Sequence, residues 1–247
     1  MLNNVLDLLK DHRSIRKYKE DSIPEEYLDN IIQAVQSAPT SINGQQISVI
    51  AVEDKAKKKK ISELSGDQEW IDQAPLMLIF CSDFYKAKLA LEKQGKDFGL
   101  IDNIEATLVG AVDVGIALEA AMVSAESLGL GIVPIGAVRK ESEELANMLE
   151  LPEYVFPMVG LCIGFPMDGS DKKPRLPKKA VFHREKYDTT DMKKLIDEYD
   201  STMSDYMKER TNGESDRNWS QTVAQTYENV YFPKVSGSIR KKGYKSE

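Results

Sequence analysis

Glu126-Ser127-Leu128-Gly129-Leu130-Gly131-Ile132-Val133-Pro134-Ile135-Gly136 decides the fold class. Upstream, Leu108, Ala111, Val112, Gly115, Leu118, Ala121, Met122 and Ala125 recur every three or four residues, so Ile104 to Leu128 reads as one long helix. Gly129 suits the left-handed residue that closes such a helix. Ile132 to Gly136 then reads as a strand ending in small residues. A dinucleotide-binding unit needs the reverse order, a strand and then a glycine-rich turn opening a helix. The glycines here leave a helix and enter a strand, so that fold is excluded. The small residues of the helix let it approach another backbone closely, in the core or at a subunit interface.

The rest of the chain reads outward from that unit. Val5, Leu6, Leu8 and Leu9 suggest a short first helix. Pro24 with Glu25 and Glu26 opens a second, with Leu28, Ile31, Ile32 and Val35 on its apolar face, and Ala38-Pro39 stops it. Ile47 to Val52 is a strand. Lys55 to Lys60 carries five lysines and reads as a solvated helix face. Leu76 to Cys81 is an unbroken apolar run, as in a buried central strand. Residues 84–99 form a helical excursion, Glu141 to Leu149 a short helix, and Pro157 to Phe165 another apolar strand. From Pro166 on, prolines, charges and scattered aromatics suggest an extended segment covering the body or a partner. With no clean linker, residues 1–247 are expected to form a single helix-rich α+β domain around one central sheet.

The chain has 247 residues and a formal net charge of -7. No basic excess exists to displace counterions from a polyanion, so bulk nucleic-acid binding is excluded. Cys81 and Cys162 each lie inside an apolar run, and with only two histidines the chain offers no zinc spacing; no metal site is expected. The N-terminus lacks a signal core, and no apolar run reaches the roughly 20 residues of a membrane span. The expected setting is cytoplasmic and reducing.

Against this acidic background His12-Arg13-Ser14-Ile15-Arg16 stands out as a cluster of donors suited to a phosphate or an anionic ring. Lys173-Pro174-Arg175 is a second basic pair that suits the same anion. Small hydrogen-bonding groups recur at 40–45, at Gln68 and at 134–137. No nucleophile elbow and no phosphate-binding Gly-Lys-Ser/Thr loop is present. A protein offering donors rather than proton shuttles often leaves the chemistry to a cofactor. Residue types alone leave two readings open, an anionic-cofactor binder and a plain solvated surface.

Three motifs in order then carry a resemblance. His12-Arg13-Ser14-Ile15-Arg16 before a proline-initiated helix resembles the N-terminal signature of the FMN-dependent nitroreductase superfamily. Glu126 to Gly131, followed by Ile135-Gly136, is similar to its central motif. Leu161-Cys162-Ile163-Gly164-Phe165-Pro166, with Lys173-Pro174-Arg175-Leu176-Pro177, is similar to its third. Order and spacing are similar to the NADPH-preferring nitroreductase and flavin reductase P-like branch, over nearly the whole chain.

The resemblance implies a central mixed β-sheet surrounded by helices, in an intertwined homodimer with FMN at the subunit interface. It implies phosphate and ribityl contacts from Arg13 and Ser14, with His12 beside them, and a second phosphate arm from Lys173 and Arg175. Arg16 would face the flavin pyrimidine edge and act catalytically, stabilising negative charge on the reduced ring. Ser41, Gln45 and Gln68 would meet the ring or ribityl chain, and Pro134, Ile135, Gly136 and Ala137 the region near N5. The family often has an aromatic in place of Pro134 and a glycine in place of Ala137. Arg210 would bind the NADPH 2′-phosphate. The implied activity is NADPH-dependent ping-pong reduction of small-molecule acceptors such as nitroaromatics, quinones or flavins. The alternatives are a dedicated flavin reductase and a flavin-binding sensor or carrier without turnover.

Overall fold

The computed structural model describes residues 4–167 and 170–245. In chain order its elements are α1 (Asn4–Asp11), α2 (Glu25–Ser37), β1 (Ile47–Val52), α3 (Lys55–Leu64), α4 (Glu69–Gln73), β2 (Leu76–Asp83), α5 (Tyr85–Lys93), α6 (Ile104–Ser127), β3 (Gly131–Ile135), α7 (Ser142–Met148), β4 (Val155–Gly164), α8 (Met192–Arg210), α9 (Trp219–Tyr227) and α10 (Val235–Lys241). They fall into two compact units: the described residues of Met1–Ser170 with Phe232–Glu247, and Asp171–Tyr231.

The first unit is built on a four-stranded sheet ordered β1-β2-β4-β3, with every neighbouring pair antiparallel. The mixed character expected of the sheet rests on one parallel bridge, Ser14 to Ile132, where the basic stretch lies along the outer edge of β3. β2 explains the layering. Its residues are all buried, and their alternation sends Leu76, Leu78 and Phe80 to one face and Met77, Ile79 and Cys81 to the other. On the first face they join Ile31 and Val35 of α2 and Val114, Ala117, Ala121 and Ala125 of α6. On the second they join Ile61 and Leu64 of α3, Ile71 of α4, and Leu145 and Ala146 of α7. A continuous apolar run is what a strand covered on both faces requires. The β2–β4 register shifts between Phe80 and Cys81, and the Arg139 guanidinium donates to the carbonyl of Met158 there.

α6 runs as the periodicity predicts, and Gly129 follows it at φ 78°. By length and hydropathy it is the one described helix able to cross a membrane, contrary to the expectation that no segment reaches that length. Its buried side, however, carries Gly110, Asp113, Ala117, Ala121 and Ala125, packed in the core of this unit. Its other side exposes Ile104, Leu108, Val112 and Ile116, a stripe at four-residue spacing.

The lysine run of α3 departs from the solvated face expected of it. Lys58 is only 3% exposed. Its Nζ donates to the carbonyls of Ala74 and Pro75, which lie between α4 and β2. Burial lowers its pKa from the ordinary lysine value. A long stem lets an ammonium reach buried carbonyls, and composition alone does not reveal this.

In the second unit α8 and α9 pack together through Tyr199 and Trp219, whose rings meet edge to face at 6.0 Å. Tyr199 Oη donates to the Pro174 carbonyl, 2.8 Å, tying the segment that carries Lys173 and Arg175 to α8.

Candidate functional site

The basic stretch leaves α1 and runs extended. Ile15 N–H donates to the Ile132 carbonyl, 2.8 Å, and Lys19 N–H to the Phe165 carbonyl, 2.8 Å. Tyr18 is buried, and its hydroxyl donates to the Ile15 carbonyl, 2.6 Å; burial drives its pKa well above the ordinary phenol value. These bonds stitch residues 14–19 to the ends of β3 and β4. Close approach requires glycine at two points: a Cβ on Gly131 would stand 2.8 Å from the Ile15 side chain, and one on Gly164 would stand 2.7 Å from Tyr18 and Pro75. Both glycines lie in the motifs that carried the resemblance, but their role as seats for the basic stretch was not legible there.

Anchored in this way, alternate side chains diverge. Ile15 and Tyr18 enter the core, Arg16 is exposed, and Arg13 is half-buried. Arg13 lines a groove of about 440 Å³ with Asp11, Glu126, Gly131 and Pro166, a size suited to a small-molecule ligand. Its guanidinium also meets Asp11 at 3.2 Å. His12 Nδ1 lies 2.7 Å from Glu126 Oε1, joining the stretch to the last turn of α6. Glu126 has a raised pKa, chiefly from burial, although the His12 hydrogen bond and charge oppose the shift.

A second group stands on the next elements. Continuing the parallel register from Ser14 and Ile132 brings Arg16 level with Pro134, which has no N–H to extend the pairing. The expected N5 loop is thus partly strand: Pro134 and Ile135 end β3, while Gly136 and Ala137 begin a 3-10 turn. Gln68 precedes α4; its Nε2 donates to the Ser65 carbonyl, 2.8 Å, and its own carbonyl accepts from Ser62 Oγ, 2.8 Å. Trp70, two residues on, was not among the expected site residues. The Arg16 Cζ lies 5.3 Å from its ring centroid.

Ser41 and Gln45 lie elsewhere. The 40–46 loop enters β1, at the opposite edge of the sheet from β3. Three strand spacings separate those edges, roughly 14 Å. Ser41 N–H donates to both carboxylate oxygens of Asp113, 3.2 Å each, and Gln45 N–H to Thr40 Oγ1, 3.1 Å. These bonds hold a strained turn in which Ile42, Asn43 and Gln45 all have positive φ, at 51°, 56° and 50°. A β-branched residue rarely adopts that conformation, and Ile42 is 97% exposed besides. Gln45 and Thr40 line a second cavity, about 380 Å³, against Leu28, Ile32 and Lys86.

In the second unit Lys173 and Arg175 are exposed on an irregular segment. Arg210 is exposed in the last turn of α8, with a guanidinium nitrogen 3.5 Å from Tyr206 Oη. Among the described residues no cluster of histidine, cysteine and carboxylates could hold a metal ion.

Comparison with known proteins finds relatives over the whole length of the chain. The Nitroreductase family model matches residues 9–165, and the model of the family's C-terminal domain matches residues 173–247. An FMN reductase [NAD(P)H] of Bacillus subtilis is 56% identical over 249 residues, covering all of both chains. The solved structure of Bacillus megaterium NfrA2 superposes with a TM-score of 0.98 at 55% identity over all of both chains. The NADPH:FMN oxidoreductase from Vibrio harveyi, solved with NAD+, superposes with a TM-score of 0.90 at 32% identity, over 99% of this chain and 100% of that one.

Proposed function

The chain belongs to the nitroreductase family, and on that premise we propose that it is an NADPH-dependent, FMN-containing oxidoreductase that reduces small-molecule acceptors. The observation that carries the reading is the basic stretch itself, stitched rigidly to β3 and β4 with Arg13 turned to a ligand-sized groove and Arg16 left exposed. The residues present fit the flavin: Arg13 offers guanidinium N–H donors and Ser14 a hydroxyl, and the buried Trp70 Nε1–H has no hydrogen-bond partner among the described residues. When bound, the flavin supplies two-electron hydride chemistry between NADPH and an oxidised acceptor.

In this reading Arg13 binds the FMN phosphate and Ser14 the ribityl chain. The His12–Glu126 pair holds the start of the stretch against α6. Arg16 provides a fixed cation at the pyrimidine edge, where negative charge collects on reduction. Lys173 and Arg175 are taken as further phosphate ligands, and Arg210 as the 2′-phosphate ligand, on the resemblance of their motifs. In this reading nicotinamide and acceptor occupy the same pocket in turn, which makes the kinetics ping-pong, with protons drawn from solvent.

Two observations support a homodimer. The exposed stripe Ile104, Leu108, Val112 and Ile116 is an apolar face of the kind that covers a partner. Ser41 and Gln45 also stand at the far sheet edge from Arg13 and Arg16, an arrangement that fits their being contributed across an interface. The buried, reduced Cys81 and Cys162, whose thiols burial pushes up to about 12, suit the cytoplasmic setting first expected.

A second reading is favoured by the B. subtilis relative named FMN reductase [NAD(P)H]: free flavin is the physiological acceptor. One experiment tests both. The visible spectrum of the purified protein is recorded, NADPH is added without oxygen, and free FMN, a quinone and a nitroaromatic are then supplied separately. A colourless protein that binds no added FMN overturns the proposal. A bleached flavin reoxidised much faster by free FMN than by the other acceptors selects the second reading.

A further inference from the structure

We propose that Trp70 is a positioning residue for Arg16, and that its indole face sets how strongly the Arg16 cation stabilises the reduced flavin. The inference rests on the flavin reading above. Arg16 Cζ stands 5.3 Å from the Trp70 ring centroid, inside the range of about 6 Å over which a guanidinium is held by an aromatic face. Trp70 is the fixed member of the pair. It is half-buried and packs on the cluster of Ile15, Tyr18, Ile61, Leu64 and Ile71, whereas Arg16 is exposed. A flat ring beneath a planar guanidinium selects the stacked rotamers of a side chain that otherwise samples many.

The manner of the grip matters for the chemistry. Arg13 meets a carboxylate, Asp11, which offsets part of its charge. Arg16 has no carboxylate partner among the described residues. A π-face holds the cation without neutralising it and leaves the in-plane N–H donors free. That is the arrangement a positive charge needs if it is to act on a ring that becomes anionic. The same short helix, α4, follows Gln68, so one element supplies the glutamine and the indole together.

The test compares Trp70→Leu, Trp70→Phe, Arg16→Ala and the Arg16→Ala/Trp70→Leu double variant in the FMN-loaded enzyme. The flavin midpoint potential is measured, and NADPH-driven flavin reduction is followed by stopped flow. Trp70→Leu is expected to slow reduction about two- to fivefold. It should make the potential more negative by roughly 10–20 mV, the same factor at about 30 mV per decade for a two-electron couple. Trp70→Phe should recover part of both changes, and Trp70→Leu should add nothing in the Arg16→Ala background. A cofactor-independent readout uses Trp219→Phe, which leaves Trp70 as the sole tryptophan; adding Arg16→Ala should then change its emission in the flavin-free protein. If Arg16→Ala moves the potential and Trp70→Leu does not, the positioning role is overturned and the flavin reading stands. If Trp70→Leu keeps its full effect in the double variant, it acts by another route and the proposal is wrong. If neither variant moves the potential, the assigned role of Arg16 falls and the proposal falls with it.

Discussion

Asp113 holds the Ser41 amide and Glu126 holds the His12 imidazole, yet the two carboxylates stand on one helix about 20 Å apart along its axis. α6 is therefore a ruler between the two halves of the proposed flavin site. Asp113, only 2% exposed, sets one end and the half-buried Glu126 the other. The separation fits the proposed homodimer, in which the two halves of one site come from different protomers.

The exposed side of the same helix then becomes a target. Val112 is 60% exposed in the centre of the apolar stripe. A Val112→Glu variant places a charge where a partner would bury it, at a cost of several kcal/mol across an interface. Sedimentation should show a shift from dimer to monomer, with FMN content falling in parallel. A variant that remains fully dimeric would remove the stripe from the interface.

The two arginines of the basic stretch should separate by readout. On the proposed role, Arg13→Ala would remove a charge-assisted phosphate contact worth about 1.5–3 kcal/mol, so FMN affinity should fall roughly ten- to hundredfold. The reduction rate of the flavin that remains bound should change little. Arg16→Ala should do the opposite, slowing reduction by NADPH while FMN is retained. Equilibrium titration followed by stopped flow on the reconstituted variants distinguishes the two, and equal effects on both measurements would contradict the division of roles.

The sequence made the elements and the basic stretch legible because both are written in local pattern. Period 3.6 marks α6, the unbroken run marks β2, and four donor side chains within five residues mark the proposed anion site. What it left hidden depends on neighbours distant in sequence. Lys58 looks like its four surface companions until the Ala74 and Pro75 carbonyls arrive beneath it. Trp70 looks like an ordinary amphipathic position until Arg16 crosses its face. Ser41 and Arg13 read as parts of one site, and only the strand order shows that a single chain holds them at opposite edges.

Gly131 links the core to the site. A methyl group there meets Ile15 at 2.8 Å, and Ile15 is β-branched, buried and tied to Ile132. Gly131→Ala must push the basic stretch outward or break that bond. Overpacking of this kind costs about 1–3 kcal/mol. A lower urea midpoint together with weaker FMN binding is expected, although no flavin ligand has been replaced. Unchanged FMN affinity would mean that the stretch does not depend on its seat.

Lys58→Met keeps the stem and removes the ammonium. Two carbonyls then lose their donor in a buried place, a penalty of about 1–3 kcal/mol. Because burial depresses the Lys58 pKa, the folded protein holds this proton less tightly than the unfolded chain does. Wild-type stability relative to the methionine variant should therefore rise as pH increases through the lowered pKa toward the ordinary lysine value. Denaturant titrations at pH 7 and pH 10 measure the difference, and a gap that narrows with pH contradicts the assignment.

Glu126 titrates in the reverse sense. Burial raises its folded pKa above the ordinary carboxyl value despite the His12 contact. The protonated form is thus favoured by folding, and its contribution to stability is present at acid pH and lost as pH rises through the raised pKa. Glu126→Gln keeps an acceptor for His12 and removes the titration. The melting temperature of wild type minus that of the variant should decline from about pH 4 to pH 7. FMN affinity should change little in the same range, because glutamine still anchors His12 beside the groove. A difference that grows with pH would show that the ion pair outweighs the cost of burial, and Glu126 would then be a net stabiliser of the site as an anion.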